Sequence, residues 1–162
     1  MIDLGAEERL GVASAFKLAV LKTLDEQVEV GQRRWEDVVR LQDGWRSLPT
    51  GILQDWPTNS PLTLETLASL MISLSDNTAT DALIDLVGRA DIEANAGVNR
   101  PLLTTRELFV LKTAANADLL QRYRFGDVED RREVLLDANS RPLPQRPTDV
   151  TYQPDIEWFF DG

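Results

Sequence analysis

Ser14-Ala15-Phe16-Lys17 places a hydroxyl and an amine three residues apart, and Ser75-Asp76-Asn77 adds a second hydroxyl and a carboxamide downstream. On a helix, residues three apart share a face. A serine at the start of that helix also feels the positive end of its dipole. A lysine buried beside it loses its proton more easily and can act as a base. The chemistry these types suit is nucleophilic catalysis by serine with lysine in place of histidine.

The composition supports that choice by elimination. The 162 residues contain no histidine and no cysteine. A Ser-His-Asp triad, a Cys-His dyad and a zinc site built from His or Cys are therefore excluded. Any covalent step must use Ser, Thr, Tyr, Lys or a carboxylate. Each motif also has a plain structural explanation. Ser14 could simply cap a helix before an exposed lysine, and Ser75-Asp76-Asn77 could be a polar break with Asp76 or Asn77 capping the next helix. Both motifs in one chain, each against an apolar helix, favour function.

The net charge of -10 and the pI near 4.5 argue against nucleic acid and anionic membranes as partners, since no basic stripe is present to meet phosphates. No apolar run approaches a transmembrane length. The acidic start, Met1 to Glu8, lacks the basic character of a signal peptide. Without cysteine, disulfides play no part in stability.

The elements that must position the motifs are mainly helical. Residues 14–28 read as an amphipathic helix with Phe16, Leu18, Ala19, Val20, Leu21 and Leu24 on a broad apolar face. Residues 35–45 suggest a short strand and a turn at Asp43-Gly44, hence a small β-hairpin. Leu64, Leu67, Met71 and Leu74 predict a helix over 63–74 with Thr63 as N-cap. A second helix is expected over 78–87, ending at Gly88. A third opens at Thr104 and runs to about Leu120. A charged helix covers 127–138. Residues 139–154 hold four prolines and read as an irregular loop. The closing run from Ile156 to Phe160 is apolar and stops abruptly, which reads as a cut rather than a natural end.

The stretches Gly11 to Leu18 and Leu70 to Asp81 resemble class A β-lactamase-like serine hydrolases, within the penicillin-recognising enzymes. The similarity extends over most of residues 10–120. It implies that Ser14 is acylated and that Lys17 is its general base, a role for which a glutamate acting through water is the family's rival. It implies that Ser75 shuttles a proton to the leaving nitrogen, that Asn77 binds substrate, and that Asp76 holds the loop. No metal or cofactor is called for. The substrate would be a β-lactam, an ester or a peptide-like molecule, and the family usually works outside the cytoplasm. The complete family domain is α/β, so residues 1–162 are expected to be its helical part with a small hairpin, a single incomplete domain.

Two departures qualify this expectation. The family's Lys-Thr-Gly motif is missing, because Lys112-Thr113-Ala114 lies too early on a predicted helix and Lys22-Thr23-Leu24 is no better. The Glu-x-x-Leu-Asn pattern that supplies a deacylating base is also missing. Glu107 is the nearest candidate, although Thr104-x-x-Glu107 is itself a capping box. The alternative function is therefore a catalytically incomplete fragment or degenerate homologue that binds a ligand or partner without turnover, with self-association through uncovered apolar surface. Trp35, Trp45, Trp56 and Trp158 are expected to pack in the core or a cleft wall. Asp127, Glu129 and Asp130 read as an acidic first helical turn, and Arg131-Arg132 as a solvated pair.

Overall fold

Leu64, Leu67 and Met71, spaced by three and four, form one buried face of a helix, and Thr63 caps it by accepting the Thr66 amide at 3.1 Å. The computed structural model describes residues 11–95 and 100–158. In chain order it contains α1 (Lys17–Glu29), β1 (Val38–Arg40), β2 (Pro61–Thr63), α2 (Leu64–Ser73), α3 (Asn77–Val87), α4 (Arg89–Asn95), α5 (Thr105–Leu111), α6 (Ala117–Phe125) and α7 (Val128–Asn139). A short 3₁₀ turn, Ala13–Phe16, leads into α1. The fold is mainly α with one small antiparallel sheet.

α3 is the centre of the packing: α1, α2, α4 and α5 all lie against it. Eight of its residues from Thr78 to Ile84 and Val87 are buried, so it has almost no solvent face. Gly88 ends it with a φ of 100°, a conformation open to glycine. α1 is less buried than its apolar sequence implies. Phe16, Ala19, Val20 and Leu24 enter the core, whereas Leu18 is 58% exposed.

Three expectations need correction. The hairpin is not closed at Asp43-Gly44. β1 pairs with β2, with Val38 opposite Thr63 and Arg40 opposite Pro61, across a long connection. Asp43-Gly44-Trp45 is a 3₁₀ turn. The Asp43 carboxylate accepts from Arg46 Nε at 3.0 Å and from Thr58 Oγ1 at 2.5 Å, which folds the turn onto the loop. The helix expected from Thr104 to Leu120 is broken between α5 and α6. Thr113 leaves the helix to bridge Val150, and Thr151 N bonds the Lys112 carbonyl at 3.0 Å. Arg131 and Arg132 are not a solvated pair. Arg131 stacks over the Tyr123 ring, and Arg132 bonds the buried Glu93 at 2.8 Å.

The ends of the described chain meet at an aromatic pair. Phe16 and Trp158 stack with ring centroids 4.0 Å apart, and Val12 N donates to the Trp158 carbonyl at 2.8 Å. Trp158 Nε1 reaches the Leu103 carbonyl at 3.0 Å, so its polar atom is satisfied while the ring is buried. Phe159, Phe160 and the acidic residues Met1 to Glu8 lie outside the described residues.

Trp158→Ala removes this stack from beneath the turn that carries Ser14. A loss of about 3–5 kcal/mol in unfolding free energy is expected from urea denaturation, with Trp158→Phe keeping most of it.

Candidate active site

Lys17 is the first residue of α1, yet it is only 2% exposed. The apolar residues on either side of it, Phe16 and Val20, anchor that face in the core and draw the amine inward. Nζ finds three oxygens there. It contacts the Ser75 carbonyl at 2.8 Å, Ser75 Oγ at 2.9 Å and Asn77 Oδ1 at 2.8 Å. Ser14, exposed at the turn before α1, places Oγ 2.9 Å from Ser75 Oγ. A continuous line therefore runs from Ser14 Oγ through Ser75 Oγ to Lys17 Nζ. The two serines and the lysine are joined by way of Ser75.

The loop holding Ser75 is shaped by Asp76. Its carboxylate accepts from Ala79 N at 2.9 Å, capping α3, and from Ile52 N at 2.7 Å and Leu53 N at 3.0 Å. Two segments distant in sequence are thereby fixed to one buried acid. Gly51 permits this approach: a Cβ there would lie 2.2 Å from Asp76 Cγ, and φ is 114°. Ser75 has a φ of 52°, a strained value for a serine. Thr50 Oγ1 steadies it by donating to the Ser75 carbonyl at 2.6 Å. Asn77, in the first turn of α3, donates through Nδ2 to the Leu48 carbonyl at 2.6 Å while Oδ1 faces the lysine.

Sequence reading missed several positioning residues. Thr50 and Leu48 act through one hydroxyl and one carbonyl, and neither forms a motif. Asp81 is buried one turn beyond Asn77 and accepts from Thr105 N at 2.7 Å, Thr105 Oγ1 at 2.8 Å and Arg106 N at 2.8 Å. It ties α3 to the start of α5. The Asp-x-x-x-x-Asp spacing from Asp76 is the one local hint, and it does not identify the partner.

Glu107 is held elsewhere. Both of its oxygens bond Arg89, at 2.7 and 2.8 Å. Oε2 also accepts from Thr104 N and Oε1 from Asn139, and Thr104 completes the capping box of α5. It lines a cavity of about 620 Å³ with Asp81, Arg89 and Arg106, whose walls do not include Ser14, Lys17, Ser75 or Asn77. Among the described residues no acidic group of three or more is arranged to hold a metal, and Asp127 and Asp130 cap α7.

A model of the beta-lactamase enzyme family matches residues 2–103. The chain belongs to this beta-lactamase enzyme family. Among solved structures it is similar to a beta-lactamase from Sphaerobacter thermophilus, at 27% identity and a TM-score of 0.55, with 95% of this chain and 45% of that one covered. It is similar as well to PBP-A, at 25% identity and a TM-score of 0.56, covering 85% of this chain and 56% of the other. A variant of PBP-A solved as an acyl-enzyme complex with penicillin G shares the fold at 23% identity and a TM-score of 0.56. No curated protein matches the chain significantly. The chain spans about half the length of these solved beta-lactamase-like structures. Its helices match the helical part of that fold.

Burial pulls the Lys17 amine down from 10.5 to about 8, with Asp81 and then Asp76 opposing the shift through their charges. Burial pushes the Asp81 carboxyl up to about 7. An unfolded lysine keeps its proton up to about 10.5, whereas folded Lys17 releases it near 8. In that window the unfolded state binds more protons, so this group's contribution to stability rises with pH. The chain has three lysines, Lys17, Lys22 and Lys112. An NMR titration of their side chains should show the Lys17 resonance moving with a midpoint near 8; a midpoint near 10.5 would contradict the desolvated site.

Proposed function

We propose that this chain carries the nucleophile and the proton-transfer half of a serine hydrolase that is acylated on Ser14 by a β-lactam, an ester or a peptide-like substrate. The observation that carries the reading is the contact series Ser14 Oγ, Ser75 Oγ, Lys17 Nζ, each step 2.9 Å. With neutral Lys17, Nζ donates to the Ser75 carbonyl and Asn77 Oδ1 and accepts from Ser75 Oγ. Ser75 Oγ then accepts from Ser14 as Ser14 Oγ attacks the carbonyl carbon. The proton passes through Ser75 to Lys17. It returns through Ser75 to the leaving nitrogen or oxygen as the acyl bond breaks, which leaves an ester on Ser14. Water then hydrolyses that ester. Asn77, fixed by Lys17 and Leu48, is oriented to hold a substrate amide.

This reading is tested by intact-protein mass spectrometry after incubation with a fluorescent penicillin. A single adduct is expected on the unaltered chain and none on Ser14→Ala. Ser75→Ala should slow labelling by about a hundredfold, the size of one positioned proton relay. Labelling that persists in Ser14→Ala would sink the assignment.

A second reading is that residues 1–162 by themselves bind without turnover: they hold no Lys-Thr-Gly motif, which would supply part of the electrostatic stabilisation of the oxyanion. Leu18, Ile72 and Leu74 are exposed, and such apolar surface favours self-association. Reversible binding of the penicillin with no covalent adduct would select this reading.

The geometry of Glu107 supports a structural role over deacylation. Glu107→Gln should lower the unfolding free energy by about 3 kcal/mol by leaving the charge of Arg89 uncompensated and removing one of its two acceptors. That loss with an unchanged adduct lifetime supports the structural role. A lengthened lifetime would assign Glu107 to deacylation.

A further inference from the structure

Leu48, whose carbonyl fixes Asn77, lines a cavity of about 420 Å³. The volume lies in the range of small-molecule sites, about 300–1,000 Å³. Leu48, Pro49, Phe109, Val150 and the largely exposed Tyr152 are among the residues that line it. A second tether leads from this cavity to the nucleophile. Lys112, also in the wall, bonds Glu157, and Glu157 adjoins Trp158, which stacks on Phe16 and accepts the Val12 amide. The cavity is thus built onto both segments that frame Ser14: the loop before Asn77, and the strap beneath residues 12–16.

The lining itself holds two cations, although a carboxylate stands behind each. The chain carries a net charge of -10, yet the residues around this cavity include Lys112 and Arg146 and no carboxylate. Lys112 is neutralised by Glu157. Arg146 is not held in the same way. Its Nε lies 3.5 Å from Asp149 with the side chain 77% exposed, a geometry in which an ion pair contributes little. The two terminal nitrogens of Arg146 have no partner among the described residues. A planar guanidinium with free donors beside aromatic and aliphatic residues suits an apolar segment of ring size that ends in an anionic group such as a carboxylate.

We propose that this cavity receives an apolar substituent of the acyl substrate that ends in a carboxylate, with Phe109, Val150 and Leu48 packing against the substituent and Arg146 binding its anionic end. The proposal rests on Ser14 being the acylated residue. It adds a class of substrate to that reading: acyl donors with an aromatic or short aliphatic arm and a remote carboxylate. The covalent step is the one already described, in which the Ser14 ester forms and the leaving group departs with the returned proton.

The test compares the p-nitrophenyl esters of phenylacetic acid and of 4-carboxyphenylacetic acid, which differ by the remote carboxylate. Acylation of Ser14 is followed by intact mass and peptide mapping, with Ser14→Ala as the control for labelling elsewhere. The charged ester should acylate about threefold faster than the neutral one, the size of an ion pair on an exposed arginine. Arg146→Ala should bring the ratio of the two rates close to one, and Arg146→Lys should retain part of it. Equal rates on the unaltered chain, or a preference that survives Arg146→Ala, would overturn the proposal. If neither ester labels Ser14, binding of free 4-carboxyphenylacetate, followed by NMR, separates the two ideas. Binding that weakens about threefold in Arg146→Ala supports the cavity, while the penicillin adduct on Ser14 decides the hydrolase reading. No binding, or binding unchanged in Arg146→Ala, overturns the cavity proposal.

Discussion

An amine buried at the start of α1 is the constraint on which the site depends. Desolvating Lys17 is unfavourable, and the three oxygens supplied by Ser75 and Asn77 offset it. Those oxygens must converge from one short loop. That demand explains why Ser75 adopts a left-handed backbone and why Asn77 begins α3 instead of ending α2. It explains also why the loop is fastened from both sides, by Thr50 at the Ser75 carbonyl and by Leu48 at Asn77. The price of the strained serine is met by this surrounding network of hydrogen bonds.

Asp76 and Asp81 act as two buried fasteners of opposite reach. Asp76 joins the cap of α3 to the loop at Ile52 and Leu53, and Asp81 joins the body of α3 to the first turn of α5. Each takes backbone amides as its partners, and this is how an acidic side chain can be buried without a cation. Their charges also act on Lys17, which would otherwise lose its proton still more readily. The same residues therefore hold the geometry and moderate the basicity.

The long-range closure runs through aromatic packing. Trp158 lies against Phe16, and the segment before it draws Thr113 out of the helical path into a bridge with Val150. The break between α5 and α6 follows from that bridge and from Asn116 Nδ2, which bonds the Val110 carbonyl at 2.9 Å. Asn116 is a local contributor within residues 105–120, whereas the bridge to Val150 is not written there. The remote part of the interruption comes from a segment more than thirty residues away, which local propensity does not contain.

The amino-acid sequence by itself determined the helices over 63–74, 78–87 and 127–138, because apolar spacing, a capping side chain and a terminal glycine act within a turn or two of the chain. It also narrowed the chemical inventory: with no histidine or cysteine, covalent chemistry falls to Ser, Thr, Tyr, Lys or a carboxylate, and the two motifs with their family resemblance singled out Ser14, Lys17, Ser75 and Asn77. Only the tertiary structure decided that Ser75 stands between Ser14 and Lys17, that β1 seeks β2 and not an adjacent strand, and that Glu107 turns to Arg89. These outcomes depend on which oxygen or guanidinium arrives at a buried position from a remote part of the chain. A sequence pattern records neighbours along the helix, whereas burial makes every polar group find its partner in space.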